Sequence, residues 1–156
     1  MNEKQLLYVN VGLVIGTVLF IISSFATAQS ESAHSTMVLI SEILGGLTII
    51  SAMISLYYIK SDQKYIPIAI LSFFVPWIVY VVGHHAGINQ DTNFHWIWFV
   101  SLYILTIIGI ILMRISYNAI QGLFALLPVF LMFLNAMFFV YTVVLFVWWS
   151  LPDSIL

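Results

Sequence analysis

Apolar residues in this chain run in long stretches, without the alternation that marks a half-buried strand. Five stretches, at residues 6–25, 36–59, 66–83, 95–113 and 123–150, stand out. A hydrocarbon core about 30 Å thick takes roughly 20 helical residues to cross, and each stretch is near or above that length. Backbone groups in lipid must be paired internally, so the stretches are expected to be helical despite their β-branched residues. A transmembrane barrel would need segments of alternating polarity about ten residues long, and none is visible. Pro128 falls inside the fifth stretch, which predicts a kink or a short interfacial helix ahead of the main span. The pattern reads as an all-α integral membrane bundle of five helices, one transmembrane domain over residues 1–156.

Composition points the same way. Hydrophobic residues make up 63% of the chain and charged residues only 6%, against about 25% charged in an ordinary soluble domain. A soluble core of 156 residues could not hide so much apolar surface. A soluble enzyme, a disordered chain and a basic nucleic-acid binder are all excluded. With no cysteine, the chain has no disulfide, thiolate metal site, thiol nucleophile or lipidated thiol.

The four basic residues set an expected orientation in the cell membrane. Lys4 precedes the first stretch, Lys60 and Lys64 lie between the second and third, and Arg114 ends the fourth. Five spans put all of them on one side, which the positive-inside rule makes cytoplasmic. The N-terminus is then cytoplasmic and the C-terminus outside. Glu31, Asp91, Asp153 and the four histidines, His34, His84, His85 and His95, go to the outer side. Aromatic belts are expected from Trp96, Trp98, Trp148 and Trp149 outside and from Tyr57, Tyr58, Tyr65 and Tyr117 inside. Ala26-Thr27-Ala28 resembles a signal-peptide cleavage site, but the preceding apolar stretch exceeds a typical signal core, which favours a retained first helix. Five spans do not divide into two equal inverted halves, and the basic bias argues against dual topology. No glycosylation sequon, P-loop or Gly-rich dinucleotide motif is present.

Helices in lipid associate through small residues that allow close approach. The first stretch carries a GxxxG at Gly12 and Gly16. The second places Ser41, Gly45, Thr48, Ala52 and Ser55 on one face. A third stripe runs through Asn118, Gln121, Ala125, Pro128, Met132, Asn135, Phe139 and Thr142. All three are expected to face the bundle interior, with Asn135, Thr106, Thr142 and Gln121 as its polar lining. Helix packing is the plainer reading of these stripes and a polar cavity the sharper one.

Glu42 is the one ionisable residue well inside a stretch, about 9 Å from its outer end at 1.5 Å per residue. A carboxyl group there must be paired or protonated, and the outer histidines are the basic groups nearest in depth. The sequence therefore suggests an ion, proton or ligand site built from Glu42, His84, His85, His95 and Asp91. Imidazoles with a carboxylate also suit a metal ion, with His84, His85 and His95 as ligands, or a bis-histidine haem. No HExxH and no pair of histidines at i and i+4 supports either, so headgroup-level polar helix ends are the favoured reading. His34 is expected to be solvated, and Asp91 to form a turn or orient a histidine. Ser35 or Ser101 with His95 and Asp91 has the residue types of a hydrolase triad without any supporting spacing. Phe73, Phe74, Pro76 and Trp77 should form an aromatic cluster at a kink, its freed carbonyl nearby.

Three functional classes remain. The favoured one is a non-catalytic subunit or partner-binding component of a membrane complex, working in the lipid bilayer with other membrane subunits or copies of itself. The second is an ion- or proton-coupled transporter or channel subunit using Glu42 and the outer histidines. The third is a metal- or haem-dependent membrane enzyme or electron carrier.

Overall fold

Helices account for nearly the whole chain: α1 (Glu3–Ala26), α2 (Glu31–Tyr58), α3 (Tyr65–His85), α4 (His95–Ala119) and α5 (Leu126–Ser150). Single 3-10 turns, Asp62–Lys64 and Leu123–Ala125, lead into α3 and α5. This computed structural model describes residues 2–27 and 29–151. Ala28 of the Ala-Thr-Ala motif and Asp153 lie outside them. Five helices are long and apolar enough to cross a membrane.

The helix limits differ from the apolar stretches where polar residues continue a helix. Helix α2 begins at Glu31, so the polar segment before Thr36 is its first turns and not a loop. Helix α4 runs past Arg114 to Ala119, with Ser116 still on its buried face. Pro128 neither kinks a helix nor separates two. It stands in the first turn of α5, where a missing amide costs nothing, behind the short 3-10 turn.

The chain divides into two compact units, Met1–Leu71 and Ser72–Leu156. In the first, α1 and α2 form an antiparallel hairpin joined by polar contacts at seven-residue steps along α1. Glu3 accepts from the Lys60 amide at 3.1 Å and from the Ser61 hydroxyl at 2.9 Å. Asn10 donates to Ser55 at 2.6 Å, Thr17 and Thr48 share a hydrogen bond at 3.2 Å, and His34 Nδ1 donates to the Ser24 carbonyl at 2.8 Å. A seven-residue repeat keeps one seam facing its neighbour along two helices. The buried residues of α2 are Ser41, Gly45, Thr48, Ala52 and Ser55, the face that its small residues define in the sequence.

The GxxxG of α1 is not centred on this seam: Gly12 lies off it, while Gly16 is half-buried at its edge, where an added side chain would stand 3.9 Å from Leu44 of α2. The buried residues of α1 are Leu6, Leu7, Asn10, Val14, Thr17, Val18 and Ser24. Gly12 is exposed, and a side chain added there would meet nothing within 4 Å. At 100° per residue Gly12 points about 200° away from Asn10. Asn10 and Thr17 take the seam because they need hydrogen-bond partners that lipid cannot give.

In the second unit α4 and α5 are again antiparallel, with the part of α3 from Ser72 onward beside them. Tyr103 donates to the Thr142 carbonyl at 3.3 Å, and Asn135 Nδ2 donates to the Thr106 carbonyl at 3.0 Å. From α3, Tyr80 shares a 2.8 Å hydrogen bond with Tyr141, and the Val79 carbonyl accepts from Trp98 Nε1 at 3.2 Å. The long stripe expected through the fifth stretch is only partly realised. Pro128, Asn135 and Thr142 are buried, whereas Asn118 and Gln121 are exposed. Backbone geometry explains the break: Ile120 is extended and Gly122 has φ of 80°, so no single helical period passes through residues 118–125.

Candidate functional site

Three polar regions emerge from the candidate residues. The first is the turn from α3 to α4. Helix α3 ends in a Schellman arrangement, with the Ile88 amide on the Gly83 carbonyl and the Gly87 amide on the His84 carbonyl. Gly87 takes the left-handed position at φ 76°, which a side chain would strain. Asn89 Oδ1 then accepts from the Asp91 amide at 3.0 Å and from the Thr92 hydroxyl at 3.2 Å, so Asp91 belongs to an Asx turn. His84 and His85 are exposed, their ring centres 5.9 Å apart.

His95 is held differently. Its Nδ1 donates to the Thr92 carbonyl at 2.8 Å, which leaves Nε2 as the acceptor of the neutral ring. The ring stands against Phe99, Phe146 and Trp149, with centres 6.1–6.4 Å away. Behind it lies a cluster rich in aromatic residues, built on Trp98, Phe99 and Leu102 with Tyr80, Tyr103, Phe146 and Trp149. Trp98 is thus a core residue and not a belt residue. Its indole stacks on Trp149 and Tyr80 and fills the space that any side chain at Gly83 would need.

Glu42 is partly buried on α2 beside the seam residue Ser41, and neither it nor His85 is without a partner. Among the described residues, no three His, Asp or Glu side chains form a group that could hold a metal ion. Of the triad candidates, Ser101 and His95 are committed elsewhere as well. Ser101 donates to the Ile97 carbonyl at 2.9 Å, and the His95 nitrogen that a triad carboxylate would hold is on Thr92. His34 is not a solvated loop residue: it is partly buried on α2 and ties the two helices of its hairpin together.

The third region is the α4–α5 crossing. Thr106, Asn135 and Thr142 are all fully buried. Thr142 donates to the Phe139 carbonyl at 2.9 Å, so its hydroxyl is satisfied. Thr106 Oγ1 and Asn135 Oδ1 have no partner. Gly109 lies one turn beyond Thr106, and a side chain there would come 2.5 Å from the Ser72 carbonyl and 3.4 Å from Asn135 Nδ2. Only glycine allows α3, α4 and α5 to meet at this point.

Comparison with protein-family models, with curated proteins and with solved structures finds no match to this chain.

Two features escaped the sequence reading. The Glu3, Asn10, Thr17, Ser24 repeat is visible as polar residues every seventh position, but the neighbouring GxxxG is the more familiar association signal. The aromatic cluster around Trp98 draws residues from three helices, and no local pattern announces it.

Proposed function

We propose that this chain is a small multi-pass membrane protein that acts as a non-catalytic, partner-binding component of a membrane assembly. Its N-terminus is cytoplasmic and its C-terminus outside. Five candidate spans support insertion. The orientation draws support from the first hairpin, where the Glu3 contacts bring Lys4 and Lys60 to one end. Lys60 and Lys64 lie over the rings of Tyr57 and Tyr65 there, as at an inner membrane interface.

The observation that carries the reading is the position of Gly12. Glycines at i and i+4 let two helix backbones approach closely, which is how helices associate where lipid is as apolar as leucine. The chain's own hairpin is zipped on the other face, and Gly12 is left in open space. The face centred on Gly12, with Gly16 at its edge beside Leu44 of α2, therefore suits a transmembrane helix from outside this chain. Asn10, Thr17, Tyr103 and Asn135 spend polar groups on joining helices, as a structural component requires.

A photo-reactive residue tests this at Gly12, with Ile107 as an exposed control on α4. Crosslinks to one defined species from Gly12 and none from Ile107 support the reading. Equal, diffuse crosslinking to lipid from both positions contradicts it.

A further inference from the structure

The α4–α5 crossing holds two buried oxygens whose hydrogen-bonding capacity is unused, and they belong to two side chains already in contact. Asn135 Nδ2 bonds the Thr106 carbonyl at 3.0 Å. Oδ1 sits on the same amide and Oγ1 on the same threonine, so both orphans lie at one crossing. The contrast with other buried threonines is informative. Thr17, Thr48 and Thr142 each hold the hydroxyl within 2.7–2.9 Å of a carbonyl one turn back along their own helix, and at least one of the Thr17–Thr48 pair donates to it. Thr106 forgoes this bond although Leu102 and its carbonyl precede it by one turn.

We propose that Thr106 Oγ1 and Asn135 Oδ1 together bind one ordered water molecule in the middle of the α4–α5 pair. A buried water needs two to four polar partners, and the hydroxyl can donate or accept while the amide oxygen accepts. The Ser72 carbonyl, brought to the same crossing by Gly109, faces this junction from α3. A cation fits the set poorly. Hard cations take about six oxygen ligands, and a charge at mid-membrane with no counter-charge costs more than a neutral molecule. Among the described residues the other orphan oxygen, Asn10 Oδ1, is a single atom and falls short of what a water requires.

Two measurements test this. The first is water-edited solid-state NMR of the wild-type protein in lipid. Early transfer from water to the Asn135 side-chain amide and the Thr106 side chain, with none to the equally buried Leu102 and Leu131, is the expected result. No transfer to Asn135 or Thr106 overturns the proposal. The second is thermal unfolding of Thr106→Val, which keeps shape and removes the hydroxyl. A bound water that loses a partner predicts a fall in Tm of roughly 2–4 °C, the shift expected for about 1 kcal/mol in a chain of this size. An unchanged or raised Tm, the result of deleting an idle buried hydroxyl, contradicts the proposal. So does a wild-type Tm that rises with sodium but not with choline at equal ionic strength, which would assign the site to a cation.

Discussion

Asn10 donates its side-chain amide to the Ser55 hydroxyl at 2.6 Å, joining residues 45 positions apart at a fully buried point of the α1–α2 hairpin. The bond sits in a ladder whose rungs on α1 fall at Glu3, Asn10, Thr17 and Ser24. Hydrogen bonds between helices in lipid contribute about 0.6 kcal/mol on average, so each rung stabilises modestly and chiefly sets register. The two partners of this rung are unequal. Ser55→Ala strands the Asn10 amide in an apolar seam, at a cost of about 1–3 kcal/mol. Asn10→Leu removes that donor together with the unpaired Oδ1 and frees Ser55 to bond its own helix. We expect Ser55→Ala to lower Tm more than Asn10→Leu, measured by thermal unfolding in detergent. The reverse order would show that the amide carries the rung by itself.

Gly45 lies on the buried face of α2, whereas Leu47 is 48% exposed. Gly45→Leu should destabilise the hairpin by several degrees, because a branched side chain would separate the two helices. Leu47→Ala should leave Tm nearly unchanged. Equal effects of the two would mean that the face has been misassigned.

The second hairpin offers a sharper steric test. At Gly109 an added methyl group meets the backbone oxygen of Ser72 at 2.5 Å, while at Gly46 it meets nothing within 4 Å. Gly109→Ala should cost about 1–3 kcal/mol of overpacking. Gly46→Ala should stabilise by up to about 1 kcal/mol through helix propensity. Denaturant unfolding of the two variants reads opposite signs if the three helices meet at Gly109 as described.

The fold was largely legible in the sequence, for a physical reason. Lipid-spanning helices declare themselves by length, and the buried face of α2 could be read because five small residues repeat at helical spacing. Legibility failed where a choice between faces depended on a partner helix. Gly12 and Gly16 look like a seam by themselves, and only the match of Asn10 with Ser55 and Thr17 with Thr48 shows that the contact face of α1 leaves Gly12 outside and Gly16 at its edge. It failed again at residues 118–125, where the left-handed Gly122 interrupts a stripe that a continuous helix would have carried. For the candidate site, residue types pointed to a polar α3–α4 turn with Asp91 in it, but spacing could not foresee that His95 bonds Thr92.

Orientation has its own test, made clean by the absence of native cysteine. Ser30, Ser61 and Asn89 are all exposed. Cysteines at Ser30 and Asn89 should react with an impermeant thiol reagent in intact cells, and a cysteine at Ser61 should react only after lysis. Labelling at Ser61 with protection of Asn89 would invert the orientation.

Native mass spectrometry of the protein released from its own membrane in nanodiscs tests the proposed role most directly, comparing wild type with Gly12→Leu. Among the described residues nothing lies within 4 Å of a side chain begun at Gly12, so the substitution should leave the hairpin and Tm intact. A wild-type particle heavier than the 17.7 kDa chain by a fixed partner or a second copy is expected, with loss of that added mass in Gly12→Leu. A wild-type particle at the mass of one chain, or an assembly that Gly12→Leu leaves whole, would contradict the proposed role.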